Sequence, residues 1–255
     1  MFPIAHGWLL AELTDDPSPA SFLGSVWPDM LFGSPLTHPQ SHRSGAAVLA
    51  FARTLPAGVE RDEFTAFTRG VISHGSEPHG FDWFSDEAYG AGGAQAKGFA
   101  FQQGAPLATR AAAACDVPEE MGLWKAHNLI EMAFERSLYT ANTPAALALA
   151  AACADAALMA RMAEPLSRFF ALEVDALAES MRRYAEMVAL APTSLDALAQ
   201  AYAHQTRYRH PGAQPDATAL ADLIGEAETL IAPDREDYLT TCVAGVRATL
   251  AACGL

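Results

Sequence analysis

Leu123, Ala126, His127, Ile130, Phe134 and Leu138 fall three or four residues apart, and the same spacing of apolar positions recurs through most of this chain. That period matches the 3.6-residue turn of a helix and not the two-residue repeat of a strand. Alanine is frequent and β-branched residues are sparse, which points the same way. The expected fold is therefore all-α. Coarse helices are predicted at Ile4 to Leu13, Ser21 to Met30, Ala46 to Leu55, Asp62 to Ser73 and Pro118 to Thr140. Further helices are predicted at Pro144 to Arg161, Pro165 to Leu190, Ser194 to His204, Asp216 to Ile231 and Pro233 to Cys253. Pro118, Pro144 and Pro233 suit a first turn, where a missing N–H costs nothing.

With 255 residues, 51% hydrophobic and 18% charged, the chain can bury a full core and is no disordered polyelectrolyte. A single multi-helix domain over residues 1–255 is expected. The four cysteines are scattered, with no C-x-x-C pair, so they read as buried thiols. The apolar stretch Ile4 to Leu13 has no basic flank of the kind a signal peptide carries, so a cytoplasmic protein is expected. Asp155 and Arg161 interrupt the richest apolar run, Pro144 to Met162, which reads as a buried helix and not a transmembrane segment.

Two stretches break the helical pattern, Phe32 to Gly45 and Gly75 to Gly104. The second holds Phe81, Trp83, Phe84, Tyr89, Phe99 and Phe101 among seven glycines. Rings provide apolar walls and glycine lets backbone approach a ligand, so this segment is expected to line or cover a pocket. A third boundary, His204 to Asp216, gathers Tyr202, Arg207, Tyr208, Arg209 and His210 before a Pro/Gly-rich turn, as an inter-helix loop or a small basic patch.

Six of the eight histidines, His6, His38, His42, His74, His79 and His127, fall in the first half of the chain. Imidazole is the commonest metal ligand among side chains. His127 and Glu131 stand four apart on one helix face, with Cβ atoms roughly 5–6 Å apart, so one metal can take both. Glu135 continues that face, and Lys125 or Arg136 is placed to neutralise neighbours. Between His74 and Asp82 a helix ends and delivers two imidazoles and two carboxylates, His74, Glu77, His79 and Asp82. Pro78 and the glycines stop the helix, so His79 and Asp82 can fold back toward His74. Asp29 closes Gly24-Ser25-Val26-Trp27-Pro28-Asp29 at a helix end, as a turn former or a ligand.

Taken in order, these elements resemble the zinc-dependent phospholipase C and single-strand nuclease superfamily over roughly residues 4–135. The matching pieces are His6, the Gly-Ser-x-x-Pro-Asp segment ending in Asp29, His42 or His38 soon after, Gly70-x-x-Ser73-His74, and the His127-x-x-x-Glu131 helix. In that family the histidine resembling His74 is followed four residues later by an aspartate. Here that position is Pro78, so Glu77, His79 or Asp82 would take its part.

The resemblance implies an all-helical fold with a metal cleft, residues 1–140 bearing the site and 141–255 supporting it. It implies one or two zinc ions, with manganese or iron as alternatives, held among His6, Asp29, His42, His74, His79, His127 and Glu131. Glu77 or Asp82 would complete the shell or act as general base. The substrate would be small and phosphorylated or phospholipid-like. A formal charge of −14 argues against duplex nucleic acid, and bound cations reconcile that charge with an anionic substrate. The second reading is a non-catalytic helical binding protein with the aromatic, glycine-rich loop as its ligand surface. A helical phosphohydrolase built on a His-Asp dipeptide ranks third, since no such dipeptide occurs.

Overall fold

Fourteen α-helices and no strand occur among the described residues of the computed structural model, which are 3–30, 32–90, 97–188, 190–192 and 194–255. Helix must therefore pack on helix to make the core. The first five helices are α1 (Pro3–Leu13), α2 (Pro19–Val26), α3 (His38–His42), α4 (Gly45–Thr54) and α5 (Val59–His74). Next come α6 (Phe99–Gly104), α7 (Ala108–Cys115), α8 (Gly122–Ala141), α9 (Thr143–Ala154) and α10 (Ala156–Phe170). The chain closes with α11 (Val174–Met187), α12 (Leu195–Arg209), α13 (Ala217–Ile231) and α14 (Arg235–Ala252). No single helix is long and apolar enough to cross a membrane.

Side chains of the expected chemistry set several helix starts. Ser18, Asn142, Asp155, Ser194 and Asp216 each accept a backbone N–H of the first turn of the helix that follows. Asp155 divides the expected helix Pro144 to Arg161 into α9 and α10, which meet at 70°. Pro165 does not start a helix but lies inside α10, which ends at Ala171 in the left-handed region with φ 53°. The basic cluster around Arg207 is not a loop, because α12 runs on to Arg209.

The two irregular stretches are also partly helical. Phe32 to Gly45 contains α3, while Gly75 to Gly104 contains α6 and one π-helical turn, Trp83–Glu87. Residues 91–96 of that aromatic stretch lie outside the described residues. Ala108–Cys115 forms α7, which the apolar spacing did not signal.

α1 packs against α2, α5, α8, α9 and α14, so it occupies the middle of the fold. α8 is the second hub, packed against α1, α6, α7 and α13. The closest approach is between α2 and α5. A Cβ built on Gly70 would lie 2.2 Å from the Ser21 carbonyl oxygen, and one on Gly24 would lie 2.0 Å from the Phe67 carbonyl oxygen. Only hydrogen fits at either position, and the two backbones touch. Exposed arginines tie distant helices together, with Arg110 bidentate on Glu226, Arg136 on Glu228 and Arg161 on Glu63. Each such pair is worth little on its own.

Candidate metal centre

The α2–α5 contact is the first step in building the site. It brings the Ser25 carbonyl, at the end of α2, within 2.6 Å of His74 Nδ1, at the end of α5. A carbonyl only accepts, so Nδ1 carries the proton and Nε2 presents a lone pair. Immediately after Ser25 the chain tightens into a 3-10 turn, Trp27–Asp29, which delivers Asp29 beside the same ring. Pro28 suits that turn because it has no N–H to satisfy.

His42 is oriented in the same way from α3. Its Nδ1 lies 3.1 Å from the His38 carbonyl and 2.8 Å from Ser41 Oγ, which leaves Nε2 for the centre. His38 stays at the exposed rim and stacks on His42 with ring centroids 3.7 Å apart. After α5 the chain folds back, and Asp82 arrives with Oδ2 3.2 Å from His74 Nε2 and 3.3 Å from His42 Nε2. Asp29 Oδ1 lies 3.4 Å from His42 Nε2 and Oδ2 lies 3.9 Å from His74 Nε2. Both Nε2 atoms are buried and make no hydrogen bond.

These separations have a simple meaning. A regular tetrahedron with metal–ligand arms of about 2.0–2.1 Å has edges of about 3.3–3.4 Å. The contacts of Asp82 Oδ2 with both imidazoles and of Asp29 Oδ1 with His42 fall near this spacing, while Asp29 Oδ2 stands wider from His74, at 3.9 Å.

His6, on α1, joins Asp82 from the other side, with Nε2 3.6 Å from Oδ1. Its ring stacks on His74 at 3.7 Å and meets the edge of Phe81 at 5.4 Å. Burial and the neighbouring His74 hold His6 well below the usual histidine range, so it is neutral, as a ligand must be. α1 itself is held by Glu135 of α8, whose carboxylate accepts the backbone N–H of Ile4 at 3.0 Å and of Ala5 at 2.8 Å. Glu135 is thus not on the metal face but fastens the start of α1, a favourable place for a carboxylate.

A second group gathers on α8 and the π-helical turn. His127 Nε2 lies 3.3 Å from Glu131 Oε1 and 2.6 Å from Asp86 Oδ1. Asn128 accepts from His127 Nδ1 at 3.0 Å, and its own amide donates to the Tyr202 hydroxyl at 2.8 Å. Ser85 donates to Glu131 Oε1 at 2.6 Å. The π turn matters here because its wider winding sets Asp82, Ser85 and Asp86 toward one side, a geometry often found at functional sites. Phe101 stacks on the His127 ring at 4.3 Å, so one ring of the aromatic stretch walls the site.

Three ligand groups result: His6 with His74 and Asp82, Asp29 with His42 and His74, and Asp86 with His127 and Glu131. Each group could hold a metal ion. His42, Asp29, Asp82, Asp86, His127 and Glu131 line one cleft of about 510 Å³.

Two expected ligands lie apart from these groups. His79 is exposed and stacks flat on Trp83 at 3.7 Å, and Glu77 is exposed on the same turn. Of the three candidates to stand in for the residue four after His74, Asp82 is the one that folds back onto it. Asp86 was not anticipated, although Asp82-x-x-x-Asp86 repeats the i,i+4 spacing that singled out His127 and Glu131. Neither Lys125 nor Arg136 neutralises the α8 pair, since Lys125 reaches His210 and Arg136 holds Glu228.

The protons of this centre respond to burial and to each other. Burial opposes charge on His74 and His127, but Asp82 and Asp29 outweigh it at His74, and Glu131 and Asp86 at His127, so both are raised. Burial pushes Asp86 up to about 6 and Glu135 up to about 8, against the hydrogen bonds that favour their charged forms. Asp82 and Glu131 are lowered, because His74 beside Asp82 and His127 beside Glu131 outweigh burial.

Each raised group keeps, in the fold, a proton that an unfolded chain has already released. Stability from His74, His127 and Glu135 is therefore lost as pH rises through neutrality, and that from Asp86 already below about 6. The lowered His6 and His38 offset part of this by no longer resisting a proton, and the lowered carboxylates lose theirs only in acid. Chelator-treated protein is expected to melt several degrees lower near pH 8 than near pH 6. Adding zinc, which takes the same nitrogens in their deprotonated form, should reverse that slope. Thermal unfolding across pH with and without zinc checks it, and a metal-independent profile would contradict the arrangement.

Compared with protein family models, with curated proteins and with solved structures, this chain finds no match.

Proposed function

We propose that this chain is a metal-dependent hydrolase of phosphoesters, similar in its ligand order to the zinc-dependent phospholipase C and single-strand nuclease superfamily. The observation that carries the reading is the convergence of the Asp29 and Asp82 carboxylates on His42 Nε2 and His74 Nε2, at 3.2 to 3.9 Å, in a buried cluster. His42 Nε2 and His74 Nε2 lie against these carboxylates without a hydrogen bond of good geometry, as nitrogens turned toward a shared centre would. They fit a cation.

Asp29, His42 and His74 would hold one ion, with Asp82 and His6 completing the same buried cluster around His74, and Asp86, His127 and Glu131 would hold a second. The all-nitrogen-and-oxygen donor set suits zinc, with manganese or iron as alternatives. When bound, such ions lower the pKa of water toward about 7 and stabilise the oxygens of a phosphoryl centre. The chain's own contribution is orientation. Ser25, His38 and Asn128 fix the protonated nitrogen of three imidazoles, so that each ring turns its other nitrogen inward. Phe32, Trp124 and Tyr208 give the same cleft apolar walls for the remainder of a small phosphorylated or phospholipid-like substrate. The excess of acidic residues is compatible with such a substrate because cations stand between them.

The test is elemental analysis of protein purified without chelators, with hydrolysis of bis(p-nitrophenyl) phosphate assayed before and after metal removal. One or two zinc ions per chain and chelator-sensitive turnover are expected. The double change His127→Ala, Glu131→Ala should remove one ion and turnover while leaving helical content nearly intact. Protein without zinc, manganese or iron would exclude this reading and leave the non-catalytic binding protein.

A further inference from the structure

Lys125 is 3% exposed, yet among the described residues no carboxylate lies within 4.0 Å of its ammonium. Its Nζ lies 3.1 Å from His210 Nε2 and 5.8 Å from the centre of the Tyr202 ring. Burying an ammonium without a counter-ion costs free energy, and packing alone would prefer an apolar side chain of the same length. The ammonium lines a cavity of about 180 Å³ between α8 and α12. On the same wall, the Gln205 amide nitrogen donates to the Met187 carbonyl at 2.9 Å, which turns its oxygen away. That Oε1 is buried and makes no hydrogen bond. Arg209, at the end of α12, lines both this cavity and the metal cleft, as do Trp124 and Asn128, so the two spaces adjoin. Among the described residues Arg209 makes no ion pair, and its guanidinium lies over the Phe32 ring at 5.0 Å.

We propose that the Lys125–Arg209–His210 pocket binds a phosphate group, and that the substrate of the adjoining centre therefore carries a second phosphate besides the ester that is cleaved. Lys125 supplies the charge that a phosphate oxygen needs, and Arg209 supplies a second donor from the side of the cleft. A phosphate brings nearly two charges and three acceptor oxygens to these donors, against one charge and two oxygens on a carboxylate. The substrate assignment rests on the hydrolase reading, whereas phosphate binding by the pocket does not.

Titration calorimetry with inorganic phosphate, and with acetate at the same ionic strength, tests this on protein stripped of metal and again on metal-loaded protein. Phosphate should bind the stripped wild type, and Lys125→Met should weaken it at least about tenfold. Arg209→Gln, an exposed position that does not threaten folding, should weaken it severalfold, and acetate should bind far more weakly than phosphate. Lys125→Met should also melt no lower than wild type, because it removes a buried charge that lacks a counter-ion. Equal phosphate affinity in wild type and Arg209→Gln, or acetate binding as well as phosphate, would overturn the proposal. Lys125-dependent phosphate binding in a protein that holds no metal would sink only the hydrolase reading. A metal-loaded protein whose stripped form does not bind phosphate would sink only the pocket.

Discussion

Replacing Asp82 with asparagine is expected to weaken zinc binding at the buried site by more than about 100-fold, since even the partners of metal ligands are typically worth 10- to 100-fold. Among the described residues Asp82 is the one side chain that reaches His6, His42 and His74 together, at 3.6, 3.3 and 3.2 Å. Asparagine keeps its volume, so the core around Phe81 and Val71 should still pack and helical content should survive. Competition for zinc against a chromophoric chelator, with circular dichroism in parallel, makes the comparison. Unchanged affinity would mean that the carboxylate is a partner of the histidines only, and its assignment as a ligand would fall.

The second large effect is expected from Gly70→Ala. Alanine favours an isolated helix over glycine by about 1 kcal/mol, so propensity alone predicts stabilisation. At this position the added methyl would meet two backbone atoms of the neighbouring helix, the Ser21 carbonyl oxygen at 2.2 Å and the Ser25 nitrogen at 2.5 Å. Backbone does not swing aside as a side chain does, and overpacking of this severity costs about 3 kcal/mol or more. The net result should be strong destabilisation, seen as a lower denaturation midpoint. The variant should also lose metal, because parting the helices withdraws the Ser25 carbonyl from His74. A variant as stable as wild type would show that the helices do not touch there.

That glycine illustrates what a sequence discloses and what it withholds. The 3.6-residue spacing of Leu123, Ile130, Phe134 and Leu138 reports a helix because each turn sees one environment. Leu129 and Ala133 are buried as well, since α8 is covered on several sides. The i,i+4 pair His127 and Glu131 was visible for the same local reason. Asp86 was harder to see, because a π-helical turn inside an irregular stretch has no repeating apolar signature. It comes to His127 across forty-one residues. His79 and Glu77 carried the right chemistry within a dense cluster, but which of four neighbours turns inward depends on where a fold-back ends. Nothing in composition distinguishes Asp82, pointing in, from His79, lying outside against Trp83. Lys125 was read as a neutraliser of its own helix face, whereas its long side chain reaches a different helix altogether.

The exposed ion pairs between helices bear on how the proposed substrate would arrive. Arg110, Arg136, Arg161 and Arg168 each stand against a glutamate, so these cations are cancelled close to the surface. With a formal charge of −14, the molecule seen from a distance is an anion. A phosphate ester of the kind proposed would meet repulsion first, and attraction only within roughly a Debye length, about 8 Å at physiological ionic strength, of the cleft. Long polyanions, which must lay many charges along the outer surface, are turned away at every point of contact. Under the proposed hydrolase reading a compact ester that enters whole would meet only the cations inside, and the capture step would become a filter on molecular size.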